Sequence, residues 1–172
     1  ISDGNGEIKG AHDFGEFLVI EKEDSYHAFK FVISEDLATK LTQIIPILSG
    51  QSIGPLSQQS TIKVQNTLLY PTRTEGFLSA IPTLSGTNTG VKLDVLSRKI
   101  QPYVKNAVDF DQCRGVAFDQ KAIWALSTKG GSQNIIVLIY DILKAAWTKV
   151  EGSWAVQDWA YKDKKLFYLD NS

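Results

Sequence analysis

Along the chain, short apolar stretches alternate with polar, turn-forming ones at a spacing that repeats. The clearest unit opens with a strand over about 114–118 and a second over about 122–127, separated by the polar turn Asp119-Gln120-Lys121. A loop, Lys129-Gly130-Gly131-Ser132, leads to a third strand from Asn134 to Tyr140. Asp141 to Ala145 then turns the chain into a fourth, Trp147 to Val150. Four strands joined in this way predict one small antiparallel sheet. Ile135 to Ile139 is apolar without interruption and rich in β-branched residues, which fits a strand packed on both faces better than a buried helical turn.

The hairpin of this unit recurs. Residues 115–126 align with 158–169 at an offset of 43, matching Val116 with Trp159, Phe118 with Tyr161 and Trp124 with Phe167, with a second turn at Lys162-Asp163-Lys164. Two earlier segments, 61–70 and 12–20, fit the template more loosely. Taking Ile20, Tyr70, Trp124 and Phe167 as equivalent gives spacings of 50, 54 and 43. Periods of roughly 40 to 55 residues with several short strands each are those of propeller blades.

The expected fold is therefore all-β: β-propeller blades, each a four-stranded antiparallel sheet, in an incomplete propeller fragment. About four repeat units are expected, near 1–50, 51–105, 106–152 and 153–172, the last incomplete. In the first unit strands are expected over 17–21, 26–33 and 41–47, the last ended by Pro46 and a Ser49-Gly50 turn. In the second they fall over 61–64, 67–70 and 76–81, with Pro71 and Pro82 marking strand ends. One segment departs from the pattern. Residues 94–101, between a Gly/Thr/Ser/Asn loop (84–90) and Pro102, read as a short inter-blade helix with Asp94 as its cap.

Composition narrows the function. The chain of 172 residues is 43% hydrophobic and 10% aromatic, enough to bury a core. Lysine and arginine total 18 against 19 acids, a net charge of −1, so charge does not indicate DNA contact, and no segment approaches membrane-spanning length. Cys113 is the single cysteine and reads as a small buried hydrophobe, and with only His12 and His27 beside it no metal-ligand spacing exists. The chain lacks methionine and opens on Ile1, and we expect it to continue past both ends as part of a longer protein.

Candidate chemistry is thin. Asp13, Asp109, Asp111, Asp119, Asp141 and Asp158 could supply a hydrolytic carboxylate pair, but most fall at turns or strand ends, where Asp bonds the local backbone. No nucleophile elbow or phosphate-cradling glycine loop occurs, so no catalytic, cofactor-binding or metal residues are assigned. Trp147, Trp154, Trp159 and Tyr161 could form a sugar platform, though aromatics alternating along strands are more often core. Arg98, Lys99 and Tyr103 are the candidate subunit-interface residues, because a segment that the sheets do not need, with a mixed apolar and basic face, is free to contact a neighbour.

The run Ile135 to Asp141 followed by Lys144-Ala145-Ala146-Trp147-Thr148-Lys149 resembles the blade ending of bacteriophage virion propellers. Leu96 to Tyr103 resembles their inter-blade element, and Phe17 to Tyr26 the strand pair that opens a blade. The resemblance implies a non-enzymatic structural protein of a phage tail or head-tail connector, located in the virion and assembled as a homo-oligomeric ring. Its implied partners are other virion subunits and the remainder of its own parent chain. The trp-thr ending also occurs in Kelch-like propellers, so the alternative is a recognition propeller that binds a carbohydrate or protein.

Overall fold

The computed structural model describes residues 6–14, 17–22, 25–33, 42–51, 55–85, 88–152 and 154–170. Three four-stranded antiparallel meanders follow one another. The first is β1 (Ile8–Phe14), β2 (Phe17–Lys22), β3 (Ser25–Ile33) and β4 (Thr42–Gln51). The second is β5 (Ile62–Val64), β6 (Thr67–Thr72), β7 (Gly76–Ser85) and β8 (Asn88–Val95). The third is β9 (Val108–Phe118), β10 (Lys121–Thr128), β11 (Ile136–Asp141) and β12 (Ala146–Glu151). A hairpin, β13 (Val156–Lys162) and β14 (Lys165–Asp170), completes the order.

In the second and third sheets and in the hairpin, the first strand turns into the second through two residues. At Asp119 and Gln120, and again at Asp163 and Lys164, both turn residues have positive φ (47° and 59°, then 51° and 60°). This is the type I′ geometry, whose twist matches that of the flanking strands.

The sheets stack face against face, and three apolar layers hold them. Val19 and Ala28 of the first sheet meet Leu68, Tyr70, Leu78 and Ala80 of the second. Ile62, Leu69 and Phe77 of the second meet Cys113, Ala122, Trp124, Leu126 and Leu138 of the third. Ile123, Ala125 and Val137 on the far side of the third meet Val156, Trp159 and Leu166 of the hairpin. Polar bonds cross the same seams. Trp124 Nε1 donates to Ser60 O at 2.9 Å and Trp159 Nε1 to Arg114 O at 3.1 Å, while Thr61 Oγ1 donates to the buried Glu21 Oε2 at 3.0 Å. Meandering four-stranded sheets stacked in series are the blades of a β-propeller, the expected fold class.

Several sequence expectations need correction. The matched turns, Asp119-Gln120 and Asp163-Lys164, lie 44 positions apart, and Phe118↔Lys121 and Lys162↔Lys165 flank them. The equivalent of Trp124 is therefore Tyr168, not Phe167. The series Ile20, Tyr70, Trp124, Tyr168 is spaced 50, 54 and 44, each residue three past the start of its strand-two pairing. Residues 84–90 do not form a loop: β7 runs to Ser85 and β8 begins at Asn88, with 86–87 outside the described residues.

Pro46 and the expected Ser49-Gly50 turn lie inside β4. This strand is the edge of its sheet, where proline is tolerated, and its pairing with β3 shifts register between Ala28 and Phe29, the partner of Pro46. Pro82 also lies inside a strand, β7, at a point beyond the last β6 partner, where only β8 pairs. The inter-blade helix is longer and later than expected. A 3₁₀ segment, Leu96–Ile100, runs into α1 (Gln101–Ala107), and Pro102 sits in the first turn of α1 rather than ending a helix. Asp94 belongs to β8 and does not cap; the cap position, Val95, makes no side-chain bond.

Candidate interaction surface at the inter-blade helix

The inserted helix is anchored before it presents anything. Leu96, Ile100, Tyr103 and Ala107 pack against the layer between the second and third sheets, and Val104 is buried within it. Ser97 locks the entry to the helix. Its Oγ accepts the Phe77 backbone N–H at 3.0 Å and lies 2.9 Å from Gln101 Oε1. Gly76 makes this approach feasible: its φ is +79°, and a Cβ there would stand 2.5 Å from Ser97 Oγ. Trp147 Nε1 donates to Leu96 O at 3.1 Å and ties the segment to β12.

On that base, Arg98 and Lys99 are exposed. Arg98 Nη2 lies 3.3 Å from Asp94 Oδ1, both ends in solvent, so the pair adds little stability. Lys99 and Tyr103 line a groove of about 370 Å³ together with Ile100, Pro102, Trp147 and Lys149. The structure thus brings Lys99 and Tyr103 to one concavity, and Arg98 stands outside it.

Tyr103 is half-buried, and its hydroxyl donates to Glu151 Oε1 at 3.3 Å while Lys149 Nζ sits 4.9 Å above its ring centroid. Burial pushes the Tyr103 hydroxyl above the ordinary phenol range, with the Lys149 charge opposing. Lys149 and Glu151, 3.0 Å apart, stabilise each other's charged forms, raising the amine and lowering the carboxyl. Both residues arrive from β12, and their meeting with Tyr103 leaves no signal in the sequence pattern.

Five of the six candidate carboxylates are engaged in hydrogen bonds or ion pairs. Asp141 Oδ1 accepts the Lys144 N–H, Asp158 Oδ1 the Trp159 N–H and Asp109 Oδ1 the Asp111 N–H. Asp119 pairs with Lys121, and Asp13 with Lys63, whose hydrogen bond holds the Asp13 carboxyl below its usual range. Cys113 is fully buried and burial drives its thiol far up, as a core residue requires. Among the described residues no group of three His, Cys, Asp or Glu could hold a metal, and no helix is long and apolar enough to cross a membrane. A polar pocket of about 410 Å³ opens between the third sheet and the hairpin, lined by Gln59, Gln112, Arg114, Gln133, Asn134 and Asp158.

The geometry defines a class, a stack of propeller blades with an inter-blade helix. No family model and no curated protein matches the chain. Among solved structures, BamB from Moraxella catarrhalis is similar, with a TM-score of 0.53 over 95% of this chain at 8% identity. At that identity the likeness is one of fold. The chain spans 41% of the length of that protein.

Proposed function

We propose that the chain is a non-catalytic propeller module of a virion assembly, of the bacteriophage tail or head-tail connector kind, whose inter-blade helix contacts a neighbouring subunit. The observation that carries this reading is the form of the insertion. Its apolar side is fixed in the core by Ser97, Ile100 and Val104, while Arg98 and Lys99 project from it beside a groove that is mostly apolar. A segment that no sheet needs, yet is rigidly held, is suited to docking. The resemblance of 135–149 and 96–103 to phage blade elements supplies the virion context.

The test is Arg98→Glu combined with Lys99→Glu. Both residues are exposed, so circular dichroism should be unchanged. Ring assemblies in negative-stain images should become several-fold rarer. Rings at wild-type frequency, or none from the unaltered chain, would refute the reading. A recognition role of the Kelch kind has its own observation in the amide-rich polar pocket beside Asn134, and saturable signals on a glycan array, lost on Asn134→Ala, would favour it instead.

A further inference from the structure

The groove beside the inter-blade helix is built before any partner arrives. Its lining includes Leu138, 2% exposed, and Trp147, whose indole is fixed by its bond to Leu96 O. Ile100 and Tyr103 close it from the helix side, and both pack on the layer between the second and third sheets. Every lining residue falls between Lys99 and Lys149, and the second and third sheets each have four paired strands, so the groove takes no wall from either end of the chain. A preformed apolar concavity receives an apolar anchor from a partner at little cost in ordering.

Charge decides which partner fits. Two charged side chains line the groove, Lys99 and Lys149, and both are cations. The segment from Leu96 to Ala107 adds Arg98 and Lys105 and holds no acid, in a chain whose net charge is −1. Arg98 is paired with Asp94 and Lys149 with Glu151. Lys99 and Lys105 are exposed and have no ion pair among the described residues. An unpaired cation on the rim of an apolar groove favours a carboxylate placed next to the apolar anchor, and steers such a partner inward. A nucleic-acid backbone would satisfy the charge but present no apolar anchor to Ile100, Leu138 and Trp147.

We infer that this groove docks an acidic segment of a neighbouring subunit, which lays a leucine or phenylalanine side chain over Ile100 and Trp147 and sets a carboxylate against Lys99. The inference deepens the docking role proposed for the helix and rests on it, though not on the virion context.

The probe is a fluorescein-labelled peptide in which a leucine-phenylalanine pair is flanked on each side by two glutamates, titrated into the 172-residue chain and followed by anisotropy. Saturable one-to-one binding in the micromolar range is expected. It should weaken several-fold between about 0.1 and 1 M salt, as the screening length falls from about 10 to about 3 Å. Replacing the leucine-phenylalanine pair by two serines should weaken binding at least tenfold. So should Lys99→Glu and, as a second variant on the β12 wall, Thr148→Glu; both residues are exposed, so circular dichroism should be unchanged. Lys162→Glu, the same charge change on the terminal hairpin, should alter affinity less than twofold.

No saturable binding, equal binding of the serine peptide, or a loss from Lys99→Glu no larger than that from Lys162→Glu would overturn the inference. So would duplex DNA that binds as tightly and displaces the peptide, since the surface would then read charge alone. If the peptide fails in any of these ways while Arg98→Glu with Lys99→Glu still makes rings rarer, the docking role of the helix stands and the partner chemistry assigned to the groove falls alone.

Discussion

The third sheet and the terminal hairpin are built on one template, yet their matched positions lead opposite lives. Ile123 is 6% exposed and its equivalent Phe167 is 50%; Ala125 is fully buried and Leu169 is 59% exposed; Trp124 is fully buried and Tyr168 is 46% exposed. The residues on the exposed side of the comparison are no less apolar. What differs is the neighbour: both faces of the third sheet are covered, by Phe77 and Ile62 on one side and Trp159 and Leu166 on the other, while the hairpin is covered on one face, which leaves Phe167 and Leu169 bare; Tyr168 is on the covered face, and among the described residues β14 has a strand beside it on one side alone. Burial in a stack of blades is a property of the pair of faces that meet, and hydrophobicity of a strand reports the capacity to be covered rather than the fact.

The sharpest way to break this comparison is to truncate the matched aromatics. Trp124→Ala removes a fully buried indole in contact with Phe77 and Trp147 and leaves Ser60 O without its donor, so it should cost about 3–5 kcal/mol. Tyr168→Ala, at the equivalent position, should cost less than about 1 kcal/mol because nearly half of the ring already meets solvent. Urea melts that report the midpoint at constant slope measure both. Equal losses would mean that the template, and not the neighbouring face, sets the energy.

A smaller effect is expected across the strand from Trp124. Gly115 pairs with Trp124, and a Cβ there would stand 2.9 Å from Ser60 O and 2.7 Å from Ile62 Cγ1. Ser60 O is also the acceptor of the Trp124 indole, so a methyl group at 115 presses on the seam between the second and third sheets. Gly115→Ala should cost about 1–3 kcal/mol, as overpacking does. The matched residue in the hairpin is Trp159, paired with Tyr168, where the same position carries the largest side chain, packed on the third sheet with its Nε1 donating to Arg114 O. A neutral Gly115→Ala in the same melts would show that the seam yields.

These positions also show what the sequence could and could not convey. The strands of the third sheet were legible because apolar runs, polar turns and β-branched content agreed at every point from Arg114 to Val150. The hairpin was legible as a hairpin but misread by one residue. Aromatic matching favoured Phe118 with Tyr161 and Trp124 with Phe167, whereas the backbone register follows the turn, and Asp163-Lys164 is a two-residue turn. A slip of one exchanges the faces of a strand, and so pairs the buried Trp124 with Phe167, which is 50% exposed and on the opposite face from its true equivalent.

The prolines misled for a related reason. Pro46 and Pro82 read as strand ends in the sequence, because whether a strand has a partner on both sides at a given residue is a fact of pairing and not of sequence. At the inter-blade helix, the polarity of Arg98 and Lys99 marked a surface segment. The partners of Tyr103 did not show, since Lys149 and Glu151 lie more than 40 positions away and meet it only when β12 packs beside α1.

The smallest predicted effect tests the feature that the two regions share most closely. Asp119-Gln120 and Asp163-Lys164 both place a long side chain at the second turn position with φ near +60°, a left-handed conformation that costs a residue with a Cβ about 1–2 kcal/mol relative to glycine. Glycine there also gives back some of that gain, because it loses more chain entropy on folding. Gln120→Gly should therefore stabilise the chain by about 0.5–1 kcal/mol. Lys164→Gly removes the same local strain, but the hairpin is covered on one face and should open separately from the sheets, so the global melt should move less. Hydrogen exchange separates the two cases: Gln120→Gly should slow exchange throughout β9 to β11, and Lys164→Gly only within β13 and β14. If Lys164→Gly slowed exchange in β10 as much as Gln120→Gly does, the hairpin would be energetically part of the third sheet, and the contrast between the covered and the open half of the template would fail.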